Sequence, residues 1–319
     1  MRFADVEGHS RVIERLTRAV SRGQLPHAYL FAGPAGIGKF AAARALASLL
    51  LCDAPGGDAC NACISCLEAA SETHPDLSII RMAEGATEIK IDQVRDLRRR
   101  LRLCPVRAQR KVAILDEANH LNLAAQNAML KTLEEPPGSV LLILVASNVA
   151  GLLPTVLSRC QRIDFFPLSN DLVEHLLVQR CDVPPEQARD LALYSDGSVG
   201  QALLFRAELV QLAQTQLVPL LTDLPSRPYA DLADLTRDWS RMQTTDLLLL
   251  LRAPLAWYRQ QLIDVLATTS RGQAPRAALS QLRTVYDTME QLRRHANRQL
   301  ALDAMLMKLK GAARHGARR

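Results

Sequence analysis

Short apolar runs alternate with helix-like stretches over the first half of the chain. Four runs bounded by turn residues are typical of buried strands: HAYLFA (27–32), LSIIRM (77–82), KVAILD (111–116) and VLLILVAS (140–147). Between them, apolar residues at three- and four-residue spacing predict helices over 11–23, 40–51, 91–103 and 123–135. This alternation predicts an α/β domain with a largely parallel sheet.

The second half of the chain carries helical patterns only. Breaks at Pro184-Pro185 and at Ser195-Asp196-Gly197 divide the stretch that ends near residue 207 into three short predicted helices. The remainder is almost wholly helical in pattern. We therefore predict three domains, which are an α/β domain over 1–166, a small helical domain over 167–207 and a helical domain over 208–319.

Composition narrows the class of protein. The 319 residues are 48% apolar and only 4% aromatic, so the cores must be built from Leu, Ala, Val and Ile. The net charge of +6 is consistent with a polyanionic partner. Charges in the opening MRFADVEGHS argue against a signal peptide, and no apolar run approaches the ~18 residues of a membrane span. We expect a soluble cytoplasmic protein, in which the seven cysteines stay reduced.

A glycine-rich segment follows the first predicted strand. GPAGIGKF (33–40) fits seven positions of the phosphate-binding loop G-x-x-x-x-G-K-[ST], and it lies between a strand and a helix as that loop does. Glycines let the backbone amides converge on a phosphate, and the lysine adds a positive charge. The residues of this predicted ATP or ADP site are Gly33, Gly36, Gly38 and Lys39, with Asp116 and Glu117 at the end of VAILDE.

The eighth position of the loop is Phe40, where a hydroxyl should hold magnesium. Asp116 and Glu117 stand where nucleotide hydrolases hold the metal ion and orient the attacking water. An aromatic ring can neither ligate magnesium nor donate to a phosphate. We expect phosphate binding to survive and metal-assisted hydrolysis to be lost; the alternative is a glycine-rich turn beside an acidic strand end.

Four cysteines form a C-x7-C-x2-C-x2-C array, namely Cys52, Cys60, Cys63 and Cys66. Two-residue separations let neighbouring thiolates converge on one ion, and the Pro/Gly-rich loop lets the first cysteine fold back as the fourth ligand. Four sulfurs leave no vacancy for water, so we expect structural Zn²⁺. An iron–sulfur cluster and four unrelated reduced thiols are the alternatives. Cys104, Cys160 and Cys181 lie outside the array.

Five further segments, together with the phosphate loop and the cysteine array, form a recognisable set of motifs. They are THPD (73–76), VRDLRRRL (94–101), VAILDEANHLN (112–122), NAMLKTLEEPP (127–137) and LSRCQRIDF (157–165). The set closely resembles the bacterial clamp-loader subunits of DNA polymerase III, which are AAA+ proteins. The resemblance covers essentially the whole chain and is strongest over 26–166. It implies an AAA+ P-loop domain with a zinc module, a helical lid, and a helical collar through which five subunits form an open ring.

The resemblance also implies a role for Ser158, Arg159 and Cys160. In that family this triplet carries an arginine finger, which reaches the γ-phosphate of ATP held by a neighbouring subunit. A forked guanidinium that is always charged suits the charge that develops on a phosphoryl group. Without the resemblance, Arg159 would be interpreted as a surface ion-pair residue.

Two departures from the family pattern distinguish among its subunits. Phe40 replaces the Ser or Thr of the ATPase subunit, and GSVGQAL (197–203) has Gly200 where the lid carries a sensor arginine. Both fit the non-hydrolysing stator subunit, which helps to load the sliding clamp on primed DNA within the polymerase holoenzyme. The alternatives are a gamma/tau-like ATP-hydrolysing subunit, an autonomous P-loop ATPase, and a zinc-dependent DNA-binding protein.

Four arginines fall on one stripe of the predicted helix over 91–103, at Arg95, Arg98, Arg99 and Arg102. The opposite stripe is apolar. With Asp96 alone to offset them, the arginines suggest contact with phosphates of primer-template DNA, which would position the protein without reading sequence. A solvated helix face is the alternative. The partners implied by the resemblance are the gamma/tau and delta subunits, the sliding clamp and primed DNA.

Overall fold

In the computed structural model, the strands lie in about the first half of the chain, whereas helices occur along its whole length. The structure describes residues 1–54, 56–205, 207–268 and 274–316. They form two units, Met1–Ser169 and Asn170–Arg319, and every strand lies in the first unit. The predicted fold class, an α/β domain followed by helices, is confirmed. The predicted division of the helical part at 207/208 stays a prediction, and the neighbouring residue 206 lies outside the described residues.

The sheet of the first unit has the strand order β2-β3-β4-β1-β5, with all neighbours parallel. The strands are β1 (Ala28–Ala32), β2 (Leu77–Ile80), β3 (Lys111–Leu115), β4 (Val140–Ala146) and β5 (Gln161–Asp164). The first four were predicted. The edge strand β5 was missed, because only Ile163 among its four residues is buried and no apolar run marks it.

Six α-helices surround the sheet: α1 (Ser10–Ser21), α2 (Lys39–Leu51), α3 (Ile64–Ala70), α4 (Ile91–Leu101), α5 (Leu123–Glu134) and α6 (Pro154–Leu157). Four of them match predicted helices, whereas α3 and α6 are additional. Asn122 caps α5 by accepting a hydrogen bond from the amide of Ala125, and the helix ends just before Pro136-Pro137.

Both faces of the sheet are buried, because successive strand residues point to opposite sides. On one side Leu141 and Ile143 of β4 share an apolar cluster with Leu46 of α2. On the other side the intervening Leu142 packs in a cluster with Met129 of α5. The two clusters fix the sheet between helical layers, and polar groups are left to the strand ends.

Asp76, in the THPD segment, fixes the entry to β2. Its carboxylate accepts hydrogen bonds from the backbone amides of Val106, Arg107 and Ala108, at 2.7, 2.8 and 2.9 Å. The side chain is 1% exposed, so these bonds replace its lost hydration. The position at which β2 starts is therefore set by the loop before β3.

The second unit is helical throughout its described residues. Its α-helices are α7 (Asn170–Cys181), α8 (Pro185–Tyr194), α9 (Val199–Ala202), α10 (Ala207–Leu212), α11 (Val218–Asp223), α12 (Tyr229–Ser240), α13 (Thr244–Leu250), α14 (Arg252–Thr268), α15 (Ala274–Arg293) and α16 (Arg298–Gly316). A π-helical turn, Ala213–Leu217, joins α10 to α11. The predicted breaks at Pro184-Pro185 and Ser195–Gly197 separate α7, α8 and α9. Both tryptophans lie here, Trp239 in α12 and Trp257 in α14.

Among the described residues, no helix combines the length and the apolar character that crossing a membrane requires.

Gly33 directly follows β1, at a position where a side chain would collide with the backbone. Its φ is +151°, and a Cβ placed there would lie 2.3 Å from the carbonyl oxygen of Phe165. The chain is held at this spot, since the amide of Phe165 donates to the carbonyl of Ala32 at 2.7 Å. The first glycine of the loop is therefore required by the packing of β5 against β1, whatever its role toward a ligand.

We predict that Gly33→Ala lowers the free energy of unfolding of the first unit by about 1–3 kcal/mol, because the methyl group must displace backbone. Urea denaturation followed by far-UV circular dichroism measures this change. Gly57→Ala is the matched control, because a Cβ there meets no atom within 4 Å. Equal stability of Gly33→Ala and wild type would show that β5 can move away at no cost.

Candidate functional site

The glycine-rich loop joins β1 to α2 and lines a cleft of about 260 Å³. Gly36 (φ +74°) and Gly38 (φ +103°) have left-handed backbone, which lets the loop turn into the helix. Lys39 begins α2 and is 5% exposed, and its Nζ donates to the carbonyl of Pro34 at 2.5 Å. The loop therefore directs the helix N-terminus and one buried cation toward the cleft.

Asp116 and Glu117 line the same cleft from the end of β3. Burial lowers the pKa of Lys39 to about 8, although the charges of Asp116 and Glu117 act to raise it. Burial also raises the pKa of Asp116, as does the charge of Glu117, while Arg81 and Lys39 act in the opposite direction. The structure thus brings two of the three predicted glycines, Gly36 and Gly38, to one cleft with the lysine and both acids. Gly33 is not among the residues that line this cleft.

Phe40 occupies the position of the metal-binding hydroxyl and is covered by a guanidinium. The Cζ atom of Arg81 lies 4.8 Å from the ring centroid, and that of Arg44 lies at 6.0 Å. Arg81 also forms a bidentate pair with Glu72, with N–O distances of 2.8 and 2.7 Å. The residues at this position do not fit a magnesium ion, because they offer a ring and a cation in place of an oxygen ligand.

Sequence reasoning missed Arg81 and Glu72. Arg81 directly follows β2, just as Asp116 directly follows the neighbouring strand β3, and this placement was a usable signal. Carboxyl ends of parallel strands meet at one edge of a sheet, where ligands of such folds bind. Glu72 gave no comparable signal, since it belongs to the turn after α3 and reaches Arg81 only in the fold.

The four predicted cysteines converge. Their sulfur atoms all lie within 4.8 Å of one another, and Cys52–Cys63 and Cys60–Cys66 are both 3.9 Å apart. A tetrahedral zinc ion with Zn–S bonds of about 2.3 Å separates its sulfurs by about 3.8 Å. The four thiols could therefore hold one metal ion, and sulfurs this close suit a single ion better than a cluster of several irons.

Backbone amides support the sulfurs of this array. The amide of Cys63 lies 3.3 Å from the sulfur of Cys60, and that of Cys66 lies 3.4 Å from the sulfur of Cys63. Hydrogen bonds from the amides of Ala62 and Cys63 lower the pKa of Cys60 to about 6, whereas burial raises that of Cys66 to about 12. Amides aimed at sulfur favour thiolates, which are the metal-binding form.

Arg159 lies just beyond α6 and is held by an ion pair. Its Nη2 is 2.9 Å from Oε1 of Glu134 at the end of α5, and its Nη1 donates to the carbonyl of Thr155 at 2.9 Å. The side chain is 35% exposed. Within this chain Arg159 is thus an ion-pair residue at the surface, and a neighbour's phosphate would have to replace Glu134. Ser158 and Cys160 flank it and are not among the residues that line the cleft.

Gln126, which the sequence gave no reason to single out, links α5 to the segment before α6. The side chain is buried; its Nε2 donates to the carbonyls of Leu121 and Gly151, both at 2.9 Å, and its Oε1 accepts from the amide of Leu153 at 2.7 Å. Two of these hydrogen bonds, to Gly151 and Leu153, therefore fix the segment that leads into α6 to α5.

The arginine stripe follows the exposed side of α4, opposite the buried Val94, Leu97 and Leu101. The expectation that Asp96 alone would offset the arginines was wrong. Arg99 pairs with Asp96, but Arg95 also pairs with Asp92, at 3.2 Å. Arg98 and Arg102 form no ion pair with residues that the structure describes, so they are the members of the stripe left to bind an outside anion.

A family model described as "DNA polymerase III, delta subunit" matches residues 8–169. Subunit delta' of DNA polymerase III from Pseudomonas aeruginosa is 39% identical over 199 residues, which are 62% of this chain and 61% of that protein. Subunit tau from Bacillus subtilis is 33% identical over 208 residues, 63% of this chain and 36% of that protein. The chain thus spans roughly a third to three fifths of the length of these relatives.

A solved structure with a similar chain is that of a DNA polymerase III gamma subunit-related protein from Thermotoga maritima. Its TM-score is 0.43 at 19% identity, and the match covers 94% of this chain and 98% of that one.

We predict that the purified chain contains about one zinc ion, bound by the four thiolates. Cys63→Ser should lose it, because three sulfurs hold zinc less tightly than four. Elemental analysis by mass spectrometry measures the metal content. Cys104→Ser is the matched control, since Cys104 lies outside the cluster. Absence of metal, or iron in place of zinc, would contradict the prediction.

Proposed function

Since this chain belongs to the DNA polymerase III clamp-loader family, we propose that it acts there as the delta-prime subunit. In this role it is a stator of a cytoplasmic replication complex. It places Arg159 at the ATP of a neighbouring gamma/tau subunit and helps to load the sliding clamp onto primed DNA. It has no ATPase activity of its own and carries one structural zinc ion.

The observation that carries this proposal is Phe40. Two loop glycines, Lys39, Asp116 and Glu117 line one cleft, yet the residue that should hold magnesium is a ring stacked beneath Arg81. Hydrolysis of ATP by P-loop proteins relies on a metal ion that bridges the β- and γ-phosphates. A chain that keeps the phosphate-binding loop but lacks the metal ligand is consistent with a subunit that acts on ATP bound by a neighbouring subunit.

Gly200 supports the same conclusion from the second unit. It lies in the short helix α9, which Ser198 caps by accepting a hydrogen bond from the amide of Gln201. A glycine offers no guanidinium to a bound nucleotide. The sensor expected of a hydrolysing family member therefore has no counterpart at this position.

The ion pair of Arg159 does not oppose its proposed role. An exposed pair such as Arg159–Glu134 contributes about 0.2–1 kcal/mol. An arginine finger accelerates hydrolysis by about 10³–10⁵, which corresponds to roughly 4–7 kcal/mol of transition-state stabilisation. The guanidinium therefore gains more at a neighbour's phosphate than it loses on leaving Glu134.

A hydrolysing, gamma/tau-like subunit is the second candidate. Lys39, Asp116 and Glu117 are retained, and a relative named tau is 33% identical. Sustained ATP turnover by the isolated chain, above that of a Lys39→Ala variant, would favour this candidate and contradict the stator.

We predict that Arg159→Ala, in a loader reconstituted with gamma/tau, delta, the clamp and primed DNA, slows hydrolysis at the adjoining ATP by about 10³-fold or more. Clamp loading should fail with it. Phosphate release and fluorescence of a labelled clamp measure the two effects. Arg162→Ala is the matched control, because Arg162 is exposed, pairs with Asp164 and lies three residues away. Unchanged hydrolysis and loading with Arg159→Ala would remove the finger assignment.

We predict that Arg98→Gln with Arg102→Gln weakens the binding of the assembled loader to primer-template DNA. Each lost phosphate contact should reduce the slope of log K against log[salt] by about 0.9. Fluorescence anisotropy at several salt concentrations measures the slope. The control is Arg237→Gln with Arg241→Gln, two exposed arginines of the second unit that pair with Asp234 and Asp238. An unchanged slope would make the stripe a solvated helix face.

A further inference from the structure

A cation of the chain itself, the guanidinium of Arg81, lies against Phe40 at the metal-binding position of the loop. β2 and β3 are paired in register up to Ile80 and Leu115, and the amide of Asp116 donates to the carbonyl of Ile80 at 2.9 Å. Arg81 and Asp116 therefore follow neighbouring strand ends at one edge of the sheet. The charge of each acts on the other: Arg81 opposes the rise that burial causes in the pKa of Asp116, and Asp116 adds to the rise that Glu72 causes in the pKa of Arg81.

Two contacts hold the guanidinium of Arg81 in place. The ring of Phe40 lies 4.8 Å from its Cζ atom, and the carboxylate of Glu72 binds it through both oxygens. Glu72 takes two of the five N–H donors of a guanidinium. The side chain remains 45% exposed, so donors are left for a further acceptor.

The charge beside the cleft exceeds what Glu72 can neutralise. Arg44 shares this carboxylate with Arg81, at 3.8 Å, and also donates to the carbonyl of Ala70 at 2.7 Å. Two guanidinium groups thus face one carboxylate. Glu72 therefore leaves one positive charge for Asp116 or a bound anion, at the side of the loop where other phosphate loops hold a divalent cation.

We propose that Arg81 takes the place of the divalent cation, so that the cleft binds the phosphates of a nucleoside diphosphate without metal. The loop amides and Lys39 contact the β-phosphate from one side, and Arg81 supplies the second cation from the other. The aromatic ring that excludes magnesium is thereby the surface that positions its replacement.

Charge argues for a diphosphate over a triphosphate. A guanidinium carries one positive charge where magnesium carries two, and magnesium normally bridges the β- and γ-phosphates. Without the ion, the γ-phosphate loses its main partner and adds negative charge near Asp116 and Glu117. The β-phosphate still has the loop and Lys39. This inference rests on the proposed function only in that the chain does not hydrolyse ATP.

The test measures binding of a fluorescent ADP analogue, mant-ADP, to the full chain by anisotropy, once in EDTA and once in excess Mg²⁺. We expect dissociation constants that agree within about twofold, and weaker binding of mant-ATP than of mant-ADP in EDTA. Arg81→Gln should weaken binding in EDTA at least tenfold. Arg18→Gln is the matched control, because Arg18 is exposed and pairs with Glu14 on α1, so its loss should leave binding unchanged.

A second variant separates the role of Arg81 from a general loss of structure. Phe40→Ser combined with Arg81→Gln restores a hydroxyl and removes the guanidinium, so binding should become stronger with Mg²⁺ than with EDTA. Circular dichroism checks that both variants are folded. Undetectable binding to wild type, binding that needs Mg²⁺, tighter binding of mant-ATP, or no effect of Arg81→Gln would each overturn the proposal.

Failure of this inference and failure of the proposed function are distinguishable. Arg81→Gln should still support hydrolysis and clamp loading in the reconstituted complex, because Arg159 is unchanged. A chain that binds no diphosphate but needs Arg159 for loading would contradict the inference alone. A chain that binds metal-free diphosphate but loads equally well with Arg159→Ala would contradict the stator alone.

Discussion

In the central strands of a parallel sheet that is buried on both faces, successive side chains face one apolar layer or the other, so polar side chains have room only at the strand ends. The carboxyl ends of all five strands lie at one edge, so the strand directions alone bring together the residues that follow the strands. Gly33, Arg81, Asp116, Ser147 and Phe165 each follow a different strand. With β4 between β3 and β1, the loop and the acids face each other across the end of β4. The cleft is a consequence of this strand order.

The cysteine module is fixed to this edge by charge. Glu72, in the turn after α3, reaches both Arg81 and Arg44 at this edge. Arg107, from the loop before β3 at the opposite edge, pairs separately with Glu68 of α3 at 2.8 Å. These side chains are partly exposed, so each pair contributes little alone. The pairs of Glu72 act by positioning, because one shared carboxylate restricts where the long side chains of Arg81 and Arg44 can lie. The module therefore acts as a support for the residues beside the loop as well as a metal centre.

The sequence pattern predicted those parts of the structure that depend on residues close together in the chain. Four buried strands, their helices, the loop and the converging cysteines all have signals within a few residues. The missing parts depend on contacts between distant residues or on weak patterns. β5 could not be predicted, because three of its four residues are polar and exposed at a sheet edge. The ion pair between Arg159 and Glu134 could not be predicted either, because only the folded chain brings these two residues together. Arg95 was counted as unopposed because Asp92 lies outside the stripe, although a helix brings them together at three-residue spacing.

The uneven placement of tryptophan gives the two units different optical signals. Trp239 and Trp257 are the two tryptophans of the sequence, and both lie in the second unit. Tryptophan emission therefore reports on the packing of the helical unit, and events in the sheet unit must be followed by other means. A tryptophan introduced among the residues beside the loop would add a spectroscopic probe of the first unit. A change in emission that appears only in that variant would then arise in the sheet unit.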